Sequence, residues 1–292
     1  MPSRYSLGVL GVIRSHKKLT TKISKQLLTR VDPPLTMVAR LRVNGTSAEA
    51  VRDLDLPALT VTPRSVEAKD GIILHLHGGA YVSGGILQCR ALTFCYRLAP
   101  RHPYPAQLED ALRAYDYLRK VGYPARKIAL VGESAGGNLA LALTRRLMER
   151  GDEPPAGLAL LSPWVDLAQA GESYRTLREA DATLNAAELM ESAIQFAGSR
   201  DRLTDPAISP VYGAFDGFPP TLIHCGNQEI LLSDAESLEK AMRRDGVNVR
   251  LVRWAGMCHV FQAFGFDESM ASICQIGRFL YDRLSDHASP AG

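Results

Sequence analysis

An apolar run at residues 127–131 (KIALV) leads into Gly132-Glu133-Ser134-Ala135-Gly136, and a run of helix-forming residues, 138–148, follows. A strand, then a sharp turn with glycine at both ends, then a helix: this order places a serine on a nucleophile elbow. The turn holds its central residue in a strained backbone conformation. Glycines at 132 and 136 carry no Cβ, so strand and helix can approach closely around it. Ser134 is therefore expected to stand above a sheet, with its hydroxyl at the positive end of the following helix.

The remaining chain supplies such a sheet. Short β-rich runs occur at 59–62, 72–77, 91–96, 158–161, 222–225 and 249–252. Residues 108–121 are helical, with Leu112, Tyr115 and Leu118 at helical spacing, and 269–284 form the last predicted helix. Its apolar residues Met270, Ile273, Leu280 and Leu284 share that spacing, with Asp267 placed to cap its start. Strands alternating with helices predict the α/β class, a mostly parallel sheet covered on both faces. Ligands in such sheets bind beyond the carboxyl ends of the strands. Residues 172–205 interrupt the alternation with a polar helical stretch, expected to be part of a lid. Residues 1–45 read as helical and amphipathic, broken at Asp32-Pro33-Pro34. The expected organisation is thus an N-terminal helical segment, 1–45, ahead of one α/β domain, 46–292.

Composition narrows the function. A net charge of +3, with no basic tract carrying interleaved aromatics, argues against a nucleic-acid partner. The basic run at 14–25 is mixed with polar residues and reads as a solvated helix face. The five cysteines, Cys89, Cys95, Cys225, Cys258 and Cys274, include no CxxC and no pair at metal-ligand spacing. Buried reduced thiols are expected, which fits a reducing compartment. No apolar run approaches the length of a membrane span, and no cleavage site follows the short apolar stretch at 5–13, so a cytoplasmic location is expected. No metal site, P-loop or dinucleotide fingerprint is present, so no cofactor is expected.

A serine hydroxyl is a weak nucleophile at neutral pH and needs a base within hydrogen-bond reach. Of seven histidines, His259 is the candidate, because it follows the last predicted strand in a loop facing the same sheet edge as Ser134. An imidazole, with a reference pKa of about 6.5, suits that exchange. His75, His102 and His224 are assigned structural roles. The base needs a carboxylate to hold its tautomer. Glu229 lies just past the strand at 222–225, which gives the chain order serine, acid, histidine. Asp234 competes, but it falls in the first turn of the next helix, where an acid serves the helix dipole. His77-Gly78-Gly79-Ala80 follows an apolar run and supplies backbone amides for a developing oxyanion. Gly78 and Gly79 are the candidate donors, with Ala135 from the elbow. Trp164 and Tyr81 either line an acyl pocket or pack.

These residues resemble the hormone-sensitive-lipase-like esterases, the bacterial family IV branch of the α/β-hydrolases. The likeness runs from about residue 59 to the end. It includes HGGAY at His77, YRLAP at Tyr96, HPYPA at His102, GESAGGN at Gly132, LSPWVDL at Leu161 and DPAISP at Asp205. The resemblance implies an α/β-hydrolase fold with a helical cap built from 1–45 and a second segment at about 168–208. It implies hydrolysis of short-chain carboxylic esters through an acyl-enzyme, with Glu229 in a position usually held by Asp. Dimerisation is common among such enzymes, so a homodimer is an implied partner.

The sequence departs from the family at Cys95, where an Asp often precedes YRLAP, and at Arg101, where an acid often precedes HP. A larger departure lies at 86–95. Only that stretch separates the oxyanion loop from the next strand, so the helix expected between them is missing. Such a helix buries roughly four large apolar side chains, comparable with the whole net stability of a typical domain. Either the N-terminal segment covers the sheet face there, or the fold is weakened, or residues have been lost. Two rival functions are an amidase or acyltransferase with the same triad, and a non-catalytic small-molecule receptor on the same fold. Plant gibberellin receptors, of the latter kind, lose the histidine that His259 supplies here.

Overall fold

The computed structural model describes residues 46–63, 71–81 and 91–285. The helical segment expected at 1–45, and residues 82–90 with most of the shortened crossover and Cys89, lie outside the described residues. Eight strands form one sheet: β1 (Thr46–Ala50), β2 (Ala58–Pro63), β3 (Ile72–Leu76), β4 (Ala91–Phe94), β5 (Ile128–Glu133), β6 (Leu158–Leu161), β7 (Thr221–Gly226) and β8 (Val249–Trp254). Their order is β1-β2-β4-β3-β5-β6-β7-β8. β1 and β2 are antiparallel to each other, β2 is antiparallel to β4, and all other neighbours are parallel. β1 (TSAEA) has neither an apolar run nor β-branched enrichment, and no sequence feature anticipated it.

Among the described residues, six α-helices accompany the sheet: α1 (Ala106–Lys120), α2 (Ala135–Glu149), α3 (Ser173–Thr176), α4 (Ala186–Ala197), α5 (Leu232–Arg244) and α6 (Asp267–Leu284). The two-residue period of β5 divides the core. Ile128 and Leu130 join the larger cluster with Leu108 and Leu118 of α1, Leu139 and Leu143 of α2, and Leu238 of α5. Ala129 and Val131 point to the opposite face and pack with Ile276 and Leu280 of α6. Central parallel strands buried on both faces read as continuous apolar runs, which is why they were visible in the sequence. All four residues of β4 are buried, so the sheet is not bare beside the crossover.

α6 corrects one expectation. Met270 and Ile273 are 58% and 46% exposed, although their spacing matched a core-facing stripe. The buried face of the helix's first half is built from serines instead. Ser269 Oγ accepts the Phe266 N–H and donates to the Phe261 carbonyl, and Ser272 Oγ is bonded to His224 Nδ1 and Gln262 Nε2. Paired hydroxyls can be buried without the desolvation cost of unpaired ones. Asp267 is the first helical residue rather than the cap, and Phe266 holds the cap position.

Candidate active site

The elbow follows from its glycines. Ser134 joins β5 to α2 with φ +54° and ψ −119°, a conformation that strains any residue bearing a Cβ. A Cβ at Gly132 would overlap the Gly136 carbonyl, and one at Gly136 would overlap the carbonyls of Leu76 and His77. The turn is clamped from β6 and the loop beyond it. Ser134 N–H donates to the Leu161 carbonyl at 2.9 Å, and the Ser134 carbonyl accepts the Trp164 N–H at 3.0 Å. α2 begins at Ala135, so the Ala135 amide belongs to the positive first turn of that helix.

The loops after β7 and β8 bring Glu229 and His259 together. His259 Nδ1 lies 2.7 Å from Glu229 Oε2. Glu229 is fully buried and His259 is 9% exposed. A carboxylate only accepts, so the bond assigns the proton to Nδ1 and leaves Nε2 as the ring's acceptor. Glu229 Oε1 takes three donors: Ser162 Oγ at 2.7 Å, Gly226 N–H at 2.7 Å and Cys225 Sγ at 3.0 Å. Gly226 permits the approach of the two loops, since a Cβ there would overlap the Met257 carbonyl. Asp234 is engaged elsewhere. From the first turn of α5 its Oδ2 accepts the N–H groups of Val165 and Asp166 at 2.9 and 2.8 Å. Burial pushes its pKa well up.

Leu161 and Ser162 tie these two halves. Ser134 N–H is bonded to the Leu161 carbonyl, while Val260 N–H, next to His259, donates to Ser162 Oγ at 3.1 Å. The serine and the histidine therefore flank one dipeptide at the carboxyl end of β6. The bonds of the site do not include one from the Ser134 hydroxyl to the imidazole. Among the described residues, the non-glycine residues with positive φ are Ala80, Tyr81, Ser134, Ser162, Gln169 and Val260. All but Gln169 lie on the elbow, the loop after β3 or these two contacts, so backbone strain is concentrated at the site.

The loop after β3 carries His77-Gly78-Gly79. The His77 ring stacks on Tyr96 at 3.9 Å, its Nδ1 lies 2.8 Å from the Gly78 carbonyl, and Tyr96 donates to the His77 carbonyl at 2.7 Å. Burial lowers the His77 pKa to about 4, opposed by the Gly78 bond, so the ring is neutral at pH 7. Gly78 meets the elbow. Its N–H donates to Glu133 Oε1 at 3.3 Å, so it is turned to a side chain of the elbow itself. Gly78, Gly79, at φ +115°, and Ala135 remain the candidate oxyanion donors. Burial raises the Glu133 pKa, against the pull of the Gly78 amide and the His259 ring. Tyr81 and Trp164 are fully buried. Tyr81 packs by stacking on Phe196 of α4 at 3.8 Å and donates to Asn138.

His75 and His224 are buried, with pKa values lowered by burial to about 3 and about 4. Cys225 and Cys258 are buried as expected, but Cys274 is exposed on α6. Among the described residues, no group of three or more His, Cys, Asp or Glu could hold a metal ion, and no helix is long and apolar enough to cross a membrane. Sequence reasoning missed Glu133, Ser162 and Cys225. Ser162 had a signal, a lone hydroxyl between the end of a strand and a proline.

A sheet of this order with a strained serine after its β5 strand is the ground plan of an α/β hydrolase, and a family model described as the alpha/beta hydrolase fold matches residues 73–263. An esterase of Acinetobacter venetianus is 34% identical over 223 residues, covering 71% of this chain and 74% of that protein. An acetyl-hydrolase of Streptomyces hygroscopicus is 36% identical over 202 residues, covering 65% and 67%. The crystal structure of an esterase from the bacterial hormone-sensitive lipase family superposes with a TM-score of 0.86 at 32% identity, covering 98% of this chain and all of that one. The chain belongs to the hormone-sensitive-lipase-like esterases of the α/β-hydrolase family and is a carboxylic ester hydrolase.

Proposed function

We propose that the protein is a serine carboxylesterase for short-chain esters, working through an acyl-enzyme. The observation that carries this reading is the 2.7 Å bond from His259 Nδ1 to the buried Glu229, on a loop tied to the same dipeptide as Ser134. His259 Nε2 takes the Ser134 proton as the hydroxyl attacks the ester carbonyl. Glu229 stabilises the imidazolium, and the amides of Gly78, Gly79 and Ala135 hold the oxyanion. The imidazolium then gives its proton to the leaving alcohol. Water, deprotonated by the same ring, releases the acid.

Residues 168–208 act as a cap in this reading. Their contacts run to the acid loop and the oxyanion loop: Asp181 accepts the Ile230 N–H at 2.8 Å, Ser173 donates to the Ile230 carbonyl at 2.5 Å, and Phe196 stacks on Tyr81. The cap then sets acyl-chain length, which a series of esters of increasing chain length measures.

Ser134→Ala tests the assignment. It is expected to remove the burst and to lower kcat on a chromogenic butyryl ester by roughly 10⁴-fold or more. Retained hydrolysis at the parent rate overturns Ser134 as nucleophile.

A further inference from the structure

We propose that Ser162 is a positioning residue whose hydroxyl locks the acid–base pair into one geometry. This rests on the serine-esterase reading above. The hydroxyl donates to Glu229 Oε1 at 2.7 Å and accepts the Val260 N–H at 3.1 Å. The direction of both bonds is fixed by chemistry, since an ionised carboxylate cannot donate and an amide N–H cannot accept. One oxygen thus spans the acid and the backbone next to the base.

Of the three donors on Oε1, Ser162 alone does this. Cys225 and Gly226 precede Glu229 on the same stretch of chain, so they orient the carboxylate within its own loop. Ser162 reaches it from the end of β6, 67 positions away, and its oxygen accepts the N–H of Val260, 98 positions along the chain from Ser162. Removing the hydroxyl therefore leaves the carboxylate hydrogen-bonded, and the loops still joined by the Gln228 N–H to the Met257 carbonyl, but deletes the one bridge from Oε1 to the backbone beside the base.

The backbone supplies a second argument. Ser162 is fully buried with φ +47°, and its own N–H donates to the His224 carbonyl at 2.7 Å. Glycine adopts that conformation without strain, and its N–H makes the same bond. A serine here carries a strain that the turn does not require, and the two bonds of its hydroxyl account for it.

The test is Ser162→Gly, which relieves the backbone and removes the hydroxymethyl group, read beside Ser162→Ala, which removes the hydroxyl alone, and beside both changes in a Glu229→Ala background. Rates are taken on a butyryl ester per folded molecule, judged by tryptophan fluorescence. Expected is a kcat loss of about 10- to 100-fold with KM within about twofold, as for a misplaced reacting group. In the Glu229→Ala background either change should cost less than about twofold more, because the residue acts through that carboxylate. If kcat of Ser162→Gly stays within about threefold of the parent, or if the same loss recurs without Glu229, the proposal is overturned. Should Ser162→Gly not fold, Ser162→Ala carries the same two readouts. A parent enzyme whose hydrolysis does not depend on Ser134 would instead sink the serine-esterase reading itself.

Discussion

The site is assembled in two different ways. The elbow is a backbone object: Gly132 and Gly136 let β5, α2 and the end of β3 meet, and main-chain bonds from Leu161 and Trp164 hold the turn. The proposed acid–base pair is a side-chain object, in which Glu229, His259 and Ser162 come from three segments and meet through hydrogen bonds of their polar tips. A backbone object has no small failures, because displacing it displaces the sheet. A side-chain object can lose its chemistry while the fold survives.

The largest effect should come from putting a methyl group into the elbow. Gly136→Ala sets a Cβ against the carbonyls of Leu76 and His77, and backbone cannot move aside as a side-chain tip can. The expected loss is more than about 4 kcal/mol, or no folded protein at all, by urea titration. Gly277→Ala is the matched control. It sits inside α6 with nothing within 4 Å of the new atom, and should stabilise by about 0.5–1 kcal/mol. If the elbow variant folds as well as this control, the contrast between the two halves fails.

The second test strikes the side-chain half. His259→Ala should lower kcat by roughly 10³-fold or more. Its cost in stability should stay within about 2 kcal/mol, because Glu229 keeps three donors on Oε1. Activity falling in step with the folded fraction would mean that His259 is a structural residue.

The same division explains what could be read from the sequence. The strands β3 to β7 and the elbow were legible because glycine spacing and apolar runs are local signals, and β8 because buried Val249 and Leu251 alternate with exposed Arg250. The order of Ser134, Glu229 and His259 along the chain was equally local, and the place of Asp234 in the first turn of the next helix, not its order, separated it from Glu229. What depends on direction rather than position was hidden. The Gly78 amide turns to Glu133, Met270 and Ile273 face outward while Ser269 and Ser272 face in, and the Ser162 hydroxyl bridges two loops. β1 was missed because a short edge strand next to an antiparallel partner needs no apolar run.

The smallest expected effect lies where the two objects touch. Glu133 belongs to the backbone turn, yet its side chain meets the Gly78 amide and the field of His259. Burial raises its pKa in the folded protein, so between its unfolded and folded pKa values the native state binds more protons than the unfolded one. Stability is therefore lost as pH rises through that window, and above it the buried charge is carried at full cost. Glu133→Gln keeps the shape and removes the charge. Its melting temperature should exceed the parent's at pH 8, and the gain should vanish near pH 3, below the ordinary carboxyl range, where the parent carboxyl is protonated in both states. The same change deletes an anion that attracts the imidazolium, so kcat should fall modestly while stability rises. A gain in melting temperature of equal size at both pH values would show that packing, not charge, limits the elbow there.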